Sequence, residues 1–425
     1  MKPIISSMNG LNMGTKLAKK YHLVTTTEGC ATNLLENASY GQLLDKNEIE
    51  RTQDAKEADI IIVNTCAYTT DQEDKSINVI DSFKKKYPNK QVVVGGCLTK
   101  IAPTRIKDLD VDSTFNPGDV GQLAKNLNLD KQLSDDDKKL VNFFDQNDFK
   151  DLTFQHRFLL WLRPWFFKLE SILNYQIQPL HNIIESAIIN EEYFAVTVSQ
   201  GCAGRCTFCS IKIAKGHVKS RPIEIILHEI ESALEAGHKK IWLLGDDIGC
   251  YGIDRESDFP TLLDSILKID KDFQLIINYF EPYFFLKYYD RIKNSLCDKR
   301  VINLNLPIQS GNKNIVFEMG RDYDPVEVLE KVKDLKSSSS HLVLKTNIIV
   351  GFPHETFSNF LDSLRSVFSF DAILALKFTA RPKTRAIKYD NQIPELQKQI
   401  RFRIINLFIF IRHVQIALKS LFNIK

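Results

Sequence analysis

The sequence of 425 residues predicts an α/β protein: an N-terminal parallel α/β sheet domain is followed by a partial (β/α)6 barrel and a C-terminal helix. Two observations support this prediction. Over residues 21–125, short apolar runs alternate with segments of helical periodicity, and the same alternation returns after residue 191. Strands that alternate with helices form parallel sheets with right-handed crossovers. The length suffices for two or three domains with separate cores.

Three apolar runs in the N-terminal part each end in cysteine. They are LVTTTEGC (23–30), DIIIVNTC (59–66) and QVVVGGC (91–97). Parallel strands point the same way, so Cys30, Cys66 and Cys97 are expected at the sheet edge where ligands bind. A single cysteine there is most simply a small core residue. Three cysteines at the ends of three strands favour a shared ligand. The alternative is that they are three ordinary buried cysteines.

Residues 126–190 differ in composition from the segments on either side. SDDDKK and FDQNDFKD are acidic and typical of loops, whereas residues 154–189 contain two of the three tryptophans. Pro164 and Pro179 interrupt the helical pattern of that stretch. We predict a helical connector or insertion that packs against a neighbouring domain, with an interaction surface as the alternative.

Six β-like runs follow residue 191 and predict six βα units. They are YFAVTVSQ, KIWLLGD, FQLIINYF, VINLNLPIQ, LVLKTNIIVGF and DAILALKF. In such barrels the active-site loops follow the carboxyl ends of the strands. The partial barrel is predicted over residues 191–386, and residues 387–425 are predicted to form one basic amphipathic helix. A basic segment suits phosphate or an anionic membrane, and a plain solvated face is the alternative.

The composition indicates a soluble globular protein. Apolar residues make up 44% and charged residues 26%, with a net charge of +3. The N-terminus lacks a signal-peptide pattern, and no run approaches the roughly 18 apolar residues of a membrane span. We therefore predict a cytoplasmic protein without a transmembrane segment. Disulfides are rare in that compartment, so metal or redox chemistry is the better expectation for the eight cysteines.

The motif GCAGRCTFC, residues 201–209, ends the first predicted barrel strand. Its Cys202, Cys206 and Cys209 have the spacing C-x3-C-x2-C. Thiolates are the usual ligands of iron–sulfur clusters, normally four per cubane. Three thiolates leave one iron open to bind and polarise a substrate, as an open metal position does elsewhere.

Three cations, Arg205, Lys212 and Lys215, are close to this motif in sequence and would offset the negative charge of a cluster. The alternative is a zinc site with His217 as fourth ligand. That spacing matches no common zinc pattern, so the iron–sulfur interpretation is favoured.

The motif, placed after the first strand of a partial barrel, resembles the radical S-adenosylmethionine (SAM) superfamily. GCATN (29–33), NTC (64–66) and GGCL (95–98) narrow the resemblance to radical SAM methylthiotransferases. Other segments similar to this family are SRP (220–222), LLGDDIGCYG (243–252), LPIQSG (306–311), MGRDY (319–323), TNIIVGFPHET (346–356) and RPKTRA (381–386). The usual C-terminal TRAM domain is not predicted, because only a helical pattern follows residue 386.

The resemblance implies SAM and two [4Fe-4S] clusters as cofactors. It implies Cys202, Cys206 and Cys209 as ligands of the SAM-binding cluster. It implies Cys30, Cys66 and Cys97 as ligands of an auxiliary cluster with a role in sulfur delivery. Cys250 and Cys297 match no ligand position of the family and are expected to be structural.

Five further residues are implied as cofactor-binding. Asp246 and Asp247 stand where related enzymes have a SAM-contacting pair, and Asp246 alternatively caps the following turn. Gln309 and Gly351 resemble cofactor- or substrate-facing positions. Arg221 is implied as an electrostatic partner of SAM or substrate, with a surface ion pair as the alternative.

Family members methylthiolate either an adenosine next to a tRNA anticodon or an aspartate of a ribosomal protein. LPIQSG and MGRDY favour tRNA here, whereas NTCAYTTDQEDKSI and DDIGCYG favour the ribosomal protein. We predict tRNA as the partner, with an electron donor such as flavodoxin or ferredoxin. The alternatives are another sulfur insertion on a peptide or metabolite, and a non-catalytic iron–sulfur or zinc protein.

Overall fold

The computed structural model describes residues 19–26, 30–133 and 193–421. Most of the predicted connector over 126–190 lies outside these residues, and the predicted domain boundaries stay a prediction. Two parallel sheets organise the rest, one of five strands and one of six. Within the described residues, no helix combines the length and apolar character needed to cross a bilayer.

The N-terminal sheet is parallel throughout, as predicted, with the strand order β2-β1-β3-β4-β5. Its strands are β1 (Lys20–Thr25), β2 (Glu50–Arg51), β3 (Ile60–Thr65), β4 (Gln91–Gly96) and β5 (Ser113–Thr114). Its helices are α1 (Ala31–Lys46), α2 (Thr70–Lys86), α3 (Leu98–Ile101), α4 (Thr104–Lys107) and α5 (Val120–Asn126). The sequence analysis did not predict β2 and β5, because two residues are too few to show a period.

The continuous apolar run of β3 follows from burial on both faces of this sheet. Ile61 and Val63 pack in one core cluster, whereas Ile60 and Ile62 pack in another on the opposite face. Strands of parallel sheets are covered by helices on both sides, so they contain continuous apolar runs. The run therefore identifies β3 as a central strand, as the strand order shows.

The second sheet contains the six predicted barrel strands, in sequential order and all parallel. They are β6 (Tyr193–Thr197), β9 (Lys240–Leu244), β10 (Gln274–Ile277), β11 (Val301–Asn305), β12 (Val343–Val350) and β13 (Ala372–Lys377). A short antiparallel pair, β7 (Ser199–Gln200) and β8 (Lys219–Ser220), closes the loop that contains the cysteine motif. β6 and β13 form the two edges, so the barrel is partial as predicted.

The helices of this part of the chain are α6 (Ile211–Lys215), α7 (Ile223–Glu235), α8 (Phe259–Leu267), α9 (Pro282–Leu296), α10 (Lys313–Glu318), α11 (Pro325–Ser338), α12 (Phe357–Ser366) and α13 (Glu395–Leu421). The long helices pack on the outer side of the sheet, whereas Ala214 of α6 packs in a core cluster of the N-terminal sheet. Leu304 of β11 packs in the large core under these helices, whereas the alternate residue Asn305 bonds Asn278 on the other side. Because side chains alternate along a strand, the inner side of the barrel is polar.

The predicted C-terminal helix corresponds to α13, which begins after Pro394 and packs against β13. Its Arg401 donates to the Glu355 carboxylate at 2.6 Å and to the Glu355 carbonyl at 2.8 Å. Both side chains are buried, and the carboxylate also accepts the Gly351 N–H at 2.8 Å. This ion pair fixes the helix to the loop that follows β12.

We expect Glu355→Ala to lower the free energy of unfolding by about 3–5 kcal/mol, because it leaves the Arg401 charge buried without its carboxylate. Chemical denaturation followed by circular dichroism measures the change. Arg365→Ala is the matched control, because Arg365 pairs with Asp362 at 2.7 Å but is 75% exposed, and exposed pairs contribute little. Equal effects of the two substitutions would contradict the prediction.

Candidate functional site

Three cysteines follow three neighbouring strands of the N-terminal sheet. Cys66 and Cys97 come directly after β3 and β4, whereas Cys30 lies five residues beyond β1, immediately before α1. The thiols are close enough to interact electrostatically, since Cys30 and Cys66 both raise the pKa of Cys97. We call Cys30, Cys66 and Cys97 the N-terminal triad. The structure brings them together at the carboxyl edge of the sheet.

The backbone of the N-terminal triad is held by the strands on either side. The Cys66 N–H donates to Thr26 Oγ1 at 3.0 Å, and the Cys97 N–H donates to the Thr65 carbonyl at 3.0 Å. Gly96 before Cys97 has a φ of +86°, and a Cβ there would lie 2.3 Å from the Thr65 carbonyl oxygen. Only glycine fits this turn, which directs Cys97 out of the sheet.

The second set of thiols, Cys202, Cys206 and Cys209, lies on the loop between β7 and α6 and is called the barrel triad. The Gly204 N–H donates to Cys202 Sγ at 3.1 Å, and the Ile211 N–H donates to Cys209 Sγ at 3.4 Å. Hydrogen bonds of this type stabilise thiolate sulfur in iron–sulfur proteins.

One buried cation lies beside each triad. Burial raises the pKa of Cys30 to about 11, and the nearby Lys215 opposes that rise. Burial likewise raises the pKa of Cys206, and Arg321 opposes it both as a charge and by a hydrogen bond. Buried thiols therefore need these cations, or a metal, to be held as thiolates.

The structure places Lys215 differently from the sequence analysis, which set it beside the barrel triad. Its ammonium lies 3.5 Å from Glu36 of α1 and 3.5 Å from Asp246, which follows β9. All three side chains are less than one-tenth exposed. Burial disfavours the charged lysine, yet Asp246 and Glu36 together with Cys97 and Cys30 raise the pKa of Lys215 well above its usual value. Glu36, Lys215 and Asp246 form a buried ionic bridge between the two sheets.

Asp246 also fixes the loop of the barrel triad. Its second carboxylate oxygen accepts the Gly201 N–H at 2.8 Å. Gly201 has a φ of +79°, and a Cβ there would lie 2.3 Å from the His217 carbonyl oxygen. The cap of the following turn is Asp247, whose carboxylate accepts the Gly249 N–H at 2.9 Å and the Glu281 N–H at 3.2 Å.

Two of the implied cofactor-binding residues present buried oxygen atoms that accept no hydrogen bond within the described residues, namely Gln309 Oε1 and Asp247 Oδ2. Gln309 has a φ of +60°, and its backbone bonds Asn347 and Ile349 of β12 at 2.8 Å each. Unsatisfied buried acceptors are costly unless a ligand supplies the donor. They fit a ligand with amino or hydroxyl groups, such as SAM.

Like Asp246, the remaining implied residues Arg221 and Gly351 have protein groups beside them. Arg221 donates to the Thr197 carbonyl and to Glu229, each at 2.6 Å. At Gly351, with a φ of +77°, a Cβ would lie 2.5 Å from Cγ of Lys398. The lysine chain of α13 therefore occupies the space beside this glycine. Roles of Arg221 and Gly351 toward SAM stay a prediction.

The sequence analysis missed the environment of Cys250. This buried thiol donates to the Asp247 carbonyl at 3.1 Å. The nearby Cys250 thiol also lowers the pKa of Cys202 to about 7. No sequence signal indicated it, because 48 residues separate the two positions.

The donor sets fit iron–sulfur clusters. Each triad has three thiols and a nearby cation, and a cubane places each thiolate on a different iron. Among the described residues, no three or more His, Cys, Asp or Glu side chains are arranged around one metal ion.

Two family models match the chain. The Radical SAM superfamily matches residues 196–367, and Uncharacterized protein family UPF0004 matches residues 22–116. The first match includes the barrel triad, and the second includes the N-terminal triad. Together they cover more than half of the sequence.

Curated relatives match over nearly the whole chain. The tRNA-2-methylthio-N(6)-dimethylallyladenosine synthase of Clostridium perfringens is 29% identical, with 92% of this chain and 82% of that protein covered. A protein of Pyrococcus horikoshii named "Probable threonylcarbamoyladenosine tRNA methylthiotransferase" is also 29% identical, with 89% and 81% covered.

Among solved structures, the radical SAM methyltransferase TsrM from Kitasatospora setae aligns with a TM-score of 0.57. The sequence identity is 12%, and the alignment covers 87% of this chain and 75% of that chain. At this identity the likeness shows the fold alone.

The fold, the two family models and the relatives together define a radical SAM enzyme with an added N-terminal domain. The chain belongs to the radical SAM methylthiotransferase family, and SAM and [4Fe-4S] clusters are its cofactors.

We expect Lys215→Met to lower the free energy of unfolding by about 3–5 kcal/mol, because Glu36 and Asp246 lose their shared cation while they stay buried. Chemical denaturation of the purified protein measures the loss. Lys219→Met, at an exposed position of β8, is the control and should have little effect. A Lys215→Met protein as stable as the control would show that the bridge does not stabilise the fold.

Proposed function

We propose that this enzyme inserts a methylthio group at an unactivated C–H bond of an adenosine next to the anticodon of tRNA. The observation that most supports the proposal is the presence of two cysteine triads linked by the buried ionic bridge. This reaction requires one site that binds SAM and one site that supplies sulfur. The names of both curated relatives describe a methylthio modification of tRNA, at a dimethylallyladenosine in one and at a threonylcarbamoyladenosine in the other.

We assign the barrel triad to the cluster that binds SAM and the N-terminal triad to the auxiliary cluster. Gln309 and Asp247 are assigned to SAM, because each presents a buried oxygen that accepts no hydrogen bond within the described residues. When bound, the cofactors supply the radical chemistry that removes a hydrogen atom from carbon and the sulfur that replaces it.

The residues of the chain hold and orient these groups. Arg321 donates to the Pro307 carbonyl at 3.0 Å and to Glu281 at 3.3 Å, so its charge is fixed beside Cys206. In the same way, Glu36 and Asp246 fix the charge of Lys215 beside the N-terminal triad. Fixed charges at a water-poor site interact more strongly than mobile charges in solvent. Flavodoxin or ferredoxin as electron donor and a cytoplasmic location remain predictions.

Mass spectrometry of digested total tRNA tests the substrate. We expect 2-methylthio-adenosines in cells with the gene and their loss in cells without it. Re-expression of the wild-type protein or of Cys297→Ala should restore them, because Cys297 lies at the end of α9, outside both triads. Cys202→Ala and Cys30→Ala should not restore them. An unchanged tRNA profile with stable, cluster-loaded protein would instead indicate a protein substrate, and ribosomal proteins would be examined next.

Iron analysis of protein reconstituted without oxygen tests the assignment of the triads. We expect about eight iron atoms per chain for the wild type and about four when either triad is replaced by alanine. The variant without the N-terminal triad should still cleave SAM but form no methylthiolated product. Methylthiolated product from that variant would contradict the role in sulfur delivery. An iron content of about four atoms per chain in the wild type would contradict the presence of a second cluster.

A further inference from the structure

The segment RPKTRAIK, residues 381–388, follows the last barrel strand β13 and contains four cations and no acid. Its first cation, Arg381, is buried and paired with Glu73 of α2. Lys383 and Arg385 are exposed. Neither of them has a role in the proposed function, so their positive charges need a separate explanation.

Buried neighbours fix the backbone of this segment. Thr384 and Ala386 are both buried, and the Ala386 N–H donates to the Thr207 carbonyl at 2.9 Å. Thr207 belongs to the loop that contains the barrel triad. Lys383 and Arg385 alternate with these buried residues and therefore stand at fixed points of the surface.

The two exposed cations reach two other segments of the chain. The Lys383 ammonium donates to the Lys100 carbonyl of α3 at 2.9 Å, and the Arg385 guanidinium donates to the Arg205 carbonyl at 2.6 Å. The side chains of Lys100 and Arg205 are exposed as well. We call Lys100, Arg205, Lys383 and Arg385 the basic surface. Three segments that are far apart in the sequence contribute to it.

The basic surface is not neutralised by acidic side chains. Within residues 19–26, 30–133 and 193–421, no carboxylate lies within 4 Å of its four cationic groups, whereas the nearby Arg381 and Arg105 both pair with Glu73. Like charges repel, so a fold that gathers four of them from three segments needs a reason for doing so. A surface of one sign attracts a partner of the opposite sign.

The basic surface adjoins the loops of both triads. Lys100 follows Cys97 of the N-terminal triad by three residues, and Arg205 immediately precedes Cys206 of the barrel triad. The bonds from Lys383 and Arg385 connect these two positions through one short segment. An anion bound to the basic surface would therefore lie beside both sets of thiols.

We propose that the basic surface binds the phosphate backbone of the RNA substrate and holds the target nucleotide near the two triads. The inference rests on the proposed function and adds residues that position the substrate. Lysine and arginine bind phosphate through charge-assisted hydrogen bonds, which position RNA without reading its sequence. An acidic electron-donor protein is the competing anionic partner. RNA is favoured because the substrate must reach both triads, whereas an electron donor serves the cluster of the barrel triad.

Binding of an RNA stem–loop with the sequence of a tRNA anticodon arm to the full-length, cluster-loaded protein tests the inference. Fluorescence anisotropy measures the affinity between 50 and 200 mM salt. Each phosphate contact contributes about 0.7–0.9 to the slope of log K against log salt. We expect Lys100→Gln and Lys383→Gln each to bind more weakly at 50 mM salt and to lower the slope by this amount. Across this salt range each variant should then lose about threefold less affinity than the wild type.

Matched controls remove charges elsewhere. Lys239 and Lys299 are exposed and precede β9 and β11, at the amino ends of the barrel strands. Lys239→Gln and Lys299→Gln should leave the slope unchanged. Arg385→Gln should lower it, and Arg385→Lys should keep it, because counterion release depends on charge. Iron content confirms that each variant is loaded. If Arg385→Gln does not load, the Lys100 and Lys383 variants still decide the question.

Cleavage of SAM separates the two anionic partners. We expect Lys100→Gln and Lys383→Gln to cleave SAM as the wild type does, with flavodoxin or with dithionite as the reductant. Slower cleavage with flavodoxin alone, together with unchanged salt slopes for RNA, would assign the basic surface to the electron donor and overturn the inference.

Two further results would overturn the inference. These are unchanged slopes in the Lys100 and Lys383 variants, or equal losses of slope in the Lys239 and Lys299 controls. Methylthio nucleosides that depend on the gene, together with either result, would refute the phosphate-binding surface alone. Absence of such nucleosides would refute the proposed function.

Discussion

The carboxyl ends of the two parallel sheets are joined through a buried lysine. Lys215 contributes the only cation of a bridge whose acids come from α1 and from the end of β9. Ionised groups removed from water are strongly destabilising unless they are paired, so these three residues cannot separate without a large cost. The position of Asp246 then determines that of Gly201, and with it the start of the loop that contains the barrel triad.

A second buried ion pair also joins the two parts of the chain that contain the sheets. Arg381, which follows β13, bonds the buried Glu73 of α2, and Arg105 reaches the other oxygen of that carboxylate at 2.7 Å. Parallel sheets bind ligands at their carboxyl edges. The two ion pairs join the carboxyl ends of both sheets, and so they hold the two cysteine triads in one part of the molecule.

Electrostatics and backbone geometry act together at these strand ends. The thiols are buried enough that their pKa values rise, and each triad has its own cation to oppose that rise. At the strand ends, Gly96, Gly201, Tyr279 and Gln309 all have positive φ. The chain turns sharply at each of these points. For Tyr279 and Gln309 this conformation is strained, which is typical of functional sites.

The sequence by itself determined the fold class, the parallel direction of the strands within each sheet and the family. Apolar runs such as IIIV of β3 follow directly from burial on both sides, and the spacing of Cys202, Cys206 and Cys209 is local. Cys66 and Cys97 were also placed correctly at strand ends, because strand direction alone fixes the edge. Only the tertiary structure decided that Lys215 pairs with Glu36 and Asp246, that Cys250 lies near Cys202 and that Arg321 lies beside Cys206. These contacts join residues that are far apart in the chain. Which residues become partners depends on how the two sheets pack against each other, and no local period or motif in the sequence indicates that packing.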